Sequence, residues 1–280
     1  MADELVAGIA RVKDELDIIE PVVRHMAAQV DVLLVADNLS SDGTREVLQE
    51  LSRELPLVVY LDDEVAYLQA EKMTAMAQRA AHEFGPLAWV VPFDADEVWY
   101  SGWGTVGEVL RGVEPDTMLA LAEVFDHVST GLDDMDESDP TARICWRRNV
   151  ALPLPKVACR WRPDLRIHQG NHGADYDGIR PASSTRLVIR HFPYRSPAQF
   201  VRKVRNGAAA YRAAGDQLPA DMGKHWRDWG QILDGFGETA VENIYHEWFY
   251  EKSPLASIKL RNTYTYDPAP VAGRKEAPHG

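Results

Sequence analysis

The sequence predicts an α/β protein with a mostly parallel sheet, helices on both sheet faces and a helical C-terminal extension. Three observations lead there. Apolar runs and stretches of helical period alternate through the first hundred residues. Their order, strand then helix then strand, is that of a parallel sheet whose crossovers are helices. From Pro197 onward the pattern turns helical.

The elements follow in order. Residues 5–10 form a short buried strand and 15–28 a helix. Residues 32–37 form a second apolar strand. The helix over 44–55 places Val47, Leu48, Leu51 and Leu55 on one face. Residues 57–61 form a third strand, 69–84 a helix and 88–93 a fourth strand. Beyond Tyr100 the expectation is a more irregular, mixed half, with strands over 117–124, 156–161 and 186–190 and an acidic loop over 132–140. Pro197 suits a helix start. Val241, Ile244, Tyr245, Trp248 and Phe249 have the spacing of an amphipathic helix. Trp226, Trp229 and Trp248 are read as core or as a subunit interface, which would make a homodimer. The Pro-, Gly- and charge-rich end predicts a flexible tail. The expected division is 1–195, 196–265 and a tail over 266–280.

Composition narrows the function. The apolar runs are too short to cross a bilayer. Asp3 and Glu4 stand where a secretory leader needs basic residues. Two cysteines, Cys145 and Cys159, fit a reducing cytoplasm, the expected location. A net charge of −13 disfavours nucleic acid as a general partner. The charge is uneven, however: residues 143–205 hold 14 Lys or Arg against three acids, while 123–139 hold seven acids and no Lys or Arg. The basic stretch is either a set of solvated faces or a wall that meets phosphates.

In open parallel sheets ligands bind beyond the carboxyl ends of the strands. Three such ends are polar here: Arg11 to Glu15, Asp37 to Thr44, and Asp94 to Glu97. Two carboxylates two residues apart, Asp94 and Asp96, can ligate Mn²⁺ or Mg²⁺ and neutralise a leaving diphosphate. The same loop would serve equally as the cap of a following helix. Asp37 to Thr44 makes a tight turn and a helix N-cap, and Asp37 at the strand tip can also accept hydrogen bonds from a base or ribose. Trp99, Tyr100 and Trp103 after the acidic loop offer rings on which sugars pack, or belong to ordinary core.

The stretches IARVKDE (9–15), VADNLSSDGT (35–44), QAEKMTAMAQRA (69–80) and WVVPFDADEVW (89–99) resemble family 2 glycosyltransferases of the GT-A fold, in the branch with an RVKNE-type opening and a DxDEF-type acidic loop. The resemblance covers residues 5–110 and is looser over 156–203. It implies a GT-A (Rossmann-like) nucleotide-sugar-binding catalytic domain, a nucleoside-diphosphate sugar as donor (UDP first), a divalent cation and inversion at the anomeric carbon. Ala10, Arg11 and Asp37 would lie near base and ribose, and Lys72 near the nucleotide. Asp94 would face the ribose or a bound water, Asp96 would ligate the metal, and His191 would supply a late ligand beside Asp94 and Asp96. The Glu-Asp pair that provides the general base in many relatives has no clear match. The candidates are therefore Glu123, Asp126, His172 and Asp175, with His172 on the acceptor side. The expected activity is sugar transfer to a hydroxyl of a glycan or another bacterial or phage acceptor. Two alternatives are a phage DNA-base glycosyltransferase using residues 143–205 and a catalytically silent sugar-nucleotide binder.

Overall fold

The computed structural model describes residues 4–178, 182–219, 221–252 and 263–268. The first half runs β1 (Leu5–Val12), α1 (Ile19–Gln29), β2 (Val32–Asp37), α2 (Thr44–Leu51), β3 (Leu57–Leu61), α3 (Gln69–Phe84), β4 (Leu87–Pro92), β5 (Glu97–Tyr100) and α4 (Val106–Arg111). There follow β6 (Leu119–Asp126), β7 (Ser129–Thr130), α5 (Pro140–Arg143), β8 (Trp146–Arg148), β9 (Lys156–Arg160), β10 (Arg166–Ile167), β11 (Ala174–Asp175) and β12 (Ala182–His191). The last part holds α6 (Pro197–Ala214), α7 (Lys224–Phe236), α8 (Glu238–Trp248), β13 (Tyr250–Glu251) and β14 (Tyr264–Tyr266).

Eight strands form one sheet in the order β3-β2-β1-β4-β9-β6-β12-β5. The first four are parallel, as helical crossovers require. The second half is mixed: β9 runs antiparallel to both β4 and β6, β12 parallel to β6, and β5 antiparallel to β12. The sheet is thus less parallel than the first hundred residues predict, because β5 and β9 arrive through loops rather than helical crossovers.

Strand alternation explains the helices on both faces. On β1, Val6, Ala10 and Val12 face α1 and α2, packing with Ile19, Val22, Met26 and Leu48. Ala7 and Ile9 face α3, against Met73, Met76 and Ala77. Each of these buried Val, Ile, Leu and Met side chains stabilises by roughly 1.5–3 kcal/mol. Helices α6, α7 and α8 close on a third cluster around Phe200, Val204, Trp229 and Val241. Trp229 is therefore core, while Trp248 stays 60% exposed.

Three local expectations change. The acidic loop caps no helix; it turns directly into the edge strand β5. The strand expected at 186–190 is longer and carries a register shift between Ser184 and Leu187. The expected tail begins too early: Tyr266 pairs with Trp146, and Asp267 accepts from Arg190 Nη2 at 2.9 Å and Arg147 Nε at 3.1 Å. Residues 269–280 lie outside the described ones. Cys145 and Cys159 are not joined by a disulfide.

Burial alone would raise the Asp267 carboxyl, but His127 and Arg190 outweigh it and hold the group well below the usual carboxylate range. A depressed folded value stabilises above the ordinary carboxylate pKa and is lost as pH falls through the folded one. Asp267→Asn is therefore expected to cost about 2 kcal/mol near neutrality. Urea midpoints should show the gap between variant and parent closing as pH drops below about 4.

Candidate functional site

The carboxyl ends of β1, β2 and β4 and the end of β12 open into one cleft of about 310 Å³. Helix α6 forms its opposite wall. The amide of Pro197 is not needed for helix hydrogen bonding, and Ser196 caps the helix by accepting from Gln199 N. This start directs Gln199, Arg202, Lys203 and Asn206 along the cleft.

Asp96 is the charged centre. Its side chain is 5% exposed, and Lys203 Nζ donates a short bond to Oδ2. Arg195 Nη1 stands 3.9 Å from the same oxygen, and His191 Nε2 faces Oδ1 at 3.7 Å. Burial would raise the Asp96 carboxyl; Lys203, His191 and Arg195 outweigh it and hold it far down. Burial would likewise lower His191, but Asp96 and the Asp126 hydrogen bond raise it above its ordinary value. Asp126 Oδ1 lies 2.7 Å from His191 Nδ1, which orients the ring and leaves Nε2 toward the cleft.

Asp94 lines the same cleft but its oxygens are occupied. Lys156 Nζ donates to Oδ2 at 2.7 Å, while Gln69 Nε2 and Asn171 Nδ2 donate to Oδ1 at 3.3 and 3.2 Å. Among the described residues no three His, Cys, Asp or Glu converge as a metal cluster. The expected trio Asp94, Asp96 and His191 is thus a facing pair, Asp96 and His191, with Asp94 beside it. Glu97 shapes the loop: fully buried, it accepts from Asp94 N at 3.1 Å and Trp99 Nε1 at 3.3 Å, and pairs with Lys156 at 2.9 Å.

The nucleotide-side residues separate. Arg11 lines the cleft, donating through Nε to Asp62 at 2.6 Å and through Nη2 to Glu64 O at 2.6 Å. Lys72 meets the same Asp62 at 2.7 Å. Ala10 is a core side chain, because alternation turns it toward α1. Asp37 is 1% exposed, gripped by Arg45 Nε and Nη2 at 2.8 and 2.6 Å, with Oδ1 buried and unbonded. It does not line the cleft; its neighbour Asn38 does.

Glu123, His172 and Asp175 do not line the cleft. Glu123 is exposed on β6 opposite Val188, on the sheet face away from the Ala122 and Val124 core. His172 Nδ1 bonds Pro155 O at 2.9 Å, and Asp175 pairs with His168 at 3.2 Å. The loop that carries these histidines contributes through Asn171 and Gln169 instead. Gly170 and Asn171, both at positive φ, let it bend so that Asn171 reaches Asp94 and Gln169 accepts from Ala70 N. Asp126, weighed alongside them, reaches the cleft through His191.

The aromatic expectation also shifts. Trp99 is core, Tyr100 lies under Arg190, and exposed Trp103 carries Arg186 on its face, all outside the cleft. Trp226, expected in core or interface, lines the cleft. The basic stretch 143–205 is not a continuous wall. Among the described residues, nine of its Lys or Arg pair with carboxylates. Lys203 and Arg195 belong to the loosely similar 156–203 region; lacking the fold, nothing there ties them to Asp96.

Among the described residues no helix is long and apolar enough to cross a membrane. No curated protein matches the chain. Among solved structures it is similar to a mannosyltransferase, PcManGT from Pyrobaculum calidifontis in complex with GDP-Man and Mn²⁺. Identity there is 14%, coverage 88% of each chain and the TM-score 0.41. It is also similar to S. aureus TarS 1-349 in complex with UDP-GlcNAc, at 12% identity, 91% and 77% coverage and a TM-score of 0.43. The family model Glycosyl transferase family 2 matches residues 11–109, which supply Arg11, Lys13, Asn38, Asp94 and Asp96 to the cleft. Residues 11–109 thus share the sequence pattern of glycosyl transferase family 2.

Proposed function

We propose that the protein transfers a sugar from a nucleoside-diphosphate sugar, UDP being the first choice, to an acceptor hydroxyl with inversion at the anomeric carbon. The observation that carries this reading is the buried Asp96 carboxylate facing His191 Nε2 across the cleft, with the cationic side of α6 opposite.

The pair fits a divalent cation. It offers one carboxylate oxygen and one imidazole nitrogen, and Asp126 anchors the other ring nitrogen, as metal-bound histidines usually require. Asp96 and His191 would hold Mn²⁺ or Mg²⁺, which when bound supplies positive charge to the leaving diphosphate. The chain's own cations add to this. Lys13 Nζ is steadied by Asn38 O and Leu39 O at 2.9 and 3.0 Å, and Arg202 and Lys203 line the facing wall. Asp94, held by three donors, fixes the acidic loop and presents a carboxylate to the bound sugar or ribose. In a single displacement the acceptor oxygen bonds to the anomeric carbon as the bond to the diphosphate oxygen breaks, the hydroxyl proton passing to water, and the carbon is inverted. Glu123, His172 and Asp175 have no part in this scheme.

Thermal midpoints against UDP-, GDP-, TDP- and CMP-sugars, with and without Mn²⁺, test the reading. One nucleotide class is expected to raise the midpoint only with metal present, by about 2.7 kcal/mol of stabilisation at a hundred times Kd. A panel with no response under any condition would remove it.

A further inference from the structure

The strand ends that carry the site have a second face, because consecutive residues of a strand point to opposite sides of the sheet. Asp126 and His191 are register partners on β6 and β12, and their side chains meet. Phe125 and Arg190, partners one step earlier, point the other way. On that side stands Asp267, which follows β14. Its Oδ1 accepts from Arg190 Nη2 at 2.9 Å, and its Oδ2 from Arg147 Nε at 3.1 Å and Arg190 Nε at 3.3 Å. His127 Nε2 lies 3.7 Å from the same Oδ2.

Arg190 and His127 are the chain neighbours of His191 and Asp126, and both are buried. His127 N also donates to His191 O at 2.7 Å. The backbone bond that closes the register of the pair thus belongs to a residue whose ring faces Asp267. Among the described residues no other carboxylate pairs with Arg147 or Arg190. Without Asp267 the two guanidiniums would share a mostly buried space uncompensated, and their repulsion would act on β8 and β12. The carboxylate is seated by its own segment. Asp267 N donates to Cys145 O at 2.8 Å, β14 pairs with β8, and the Tyr266 ring stands edge-on to Trp146 at 5.3 Å. Asp267 itself does not line the cleft.

We propose that Asp267 is a positioning residue for the site. From the far face of the sheet it holds Arg190 and His127, and through them keeps the Asp126–His191 pair where His191 Nε2 faces Asp96. The inference rests on the metal-binding reading of Asp96 and His191 given above and deepens it. The strand β14 then completes a site that none of its residues touches.

Two readouts on the full chain test it: Mn²⁺ affinity by calorimetry, and the proton NMR signal of His191 Nδ1, which the hydrogen bond to Asp126 moves downfield. Asp267→Asn should weaken Mn²⁺ binding about tenfold, as loss of support behind a ligating histidine does, and move the His191 signal upfield. Arg190→Lys, which keeps the charge but not the two-pronged grip, should move both readouts the same way by less. Leu51→Ala, a core truncation in α2 at the other end of the sheet, should lower stability and move neither. Parent-like Mn²⁺ affinity and His191 signal in folded Asp267→Asn, or in Arg190→Lys if the first variant does not fold, would overturn the proposal. Equal changes in Leu51→Ala would overturn it too. A parent protein that binds no Mn²⁺ would instead remove the metal reading, and the His191 signal alone would then decide the role of Asp267.

Discussion

Asp96→Ala is expected to lower glycosyl transfer by at least about a hundredfold, the cost of removing a preorganised electrostatic group from a transfer site. The substitution takes away the carboxylate that faces His191 and leaves Lys203 and Arg195 with less counter-charge in a buried setting. It should therefore also destabilise the fold, and the two effects can be separated. Lys203→Met on top of Asp96→Ala removes the stranded ammonium and should recover part of the stability. Activity should not return. Activity that survives in the soluble single variant would show that the reaction does not pass through this carboxylate.

Arg195→Met is expected to be the most destabilising single change in the site, by about 3–5 kcal/mol, the usual cost of breaking a buried ion pair from one side. The Arg195 side chain is fully buried; it pairs with Glu15 and with Asp17 at 2.7 Å and donates to Phe192 O at 2.9 Å. Burial raises Glu15 above its ordinary value even with Arg195 present. Without the guanidinium its protonated form should be favoured further, and acid supplies that proton. The urea midpoint of the variant should thus lag the parent more at about pH 8 than at about pH 5. An equal lag at both would mean that Glu15 is not left buried and unpaired.

Much of the first half was legible because each element there is set by local pattern. The strand at 57–61 and the helix at 69–84 fall on the predicted residues, since two-residue and helical periods are written in the chain itself. The acidic loop was legible for the same reason: it ends a strand of a parallel sheet. What could not be read depends on partners far away in sequence. Lys203 meets Asp96 across 107 positions and Arg195 meets Asp17 across 178. Asp37 shows the opposite failure. It sits at a strand tip, as a ligand contact should, but Arg45 in the first turn of α2 takes its carboxylate. His172 was attractive as a histidine in a glycine-bearing loop, yet the loop's useful side chain is its neighbour Asn171.

Helix α6 also bears on the order in which the molecule can be made. Asp14, Asp17 and Asp96 all lie before residue 100, while Arg195, Arg202, Lys203 and Asn206, which bond them, come at least ninety residues later. A nascent chain that ends with the matched segment therefore lacks these later partners where the cleft is to form. Synthesis from the N-terminus thus delays a competent cleft until the helix that neutralises it is available.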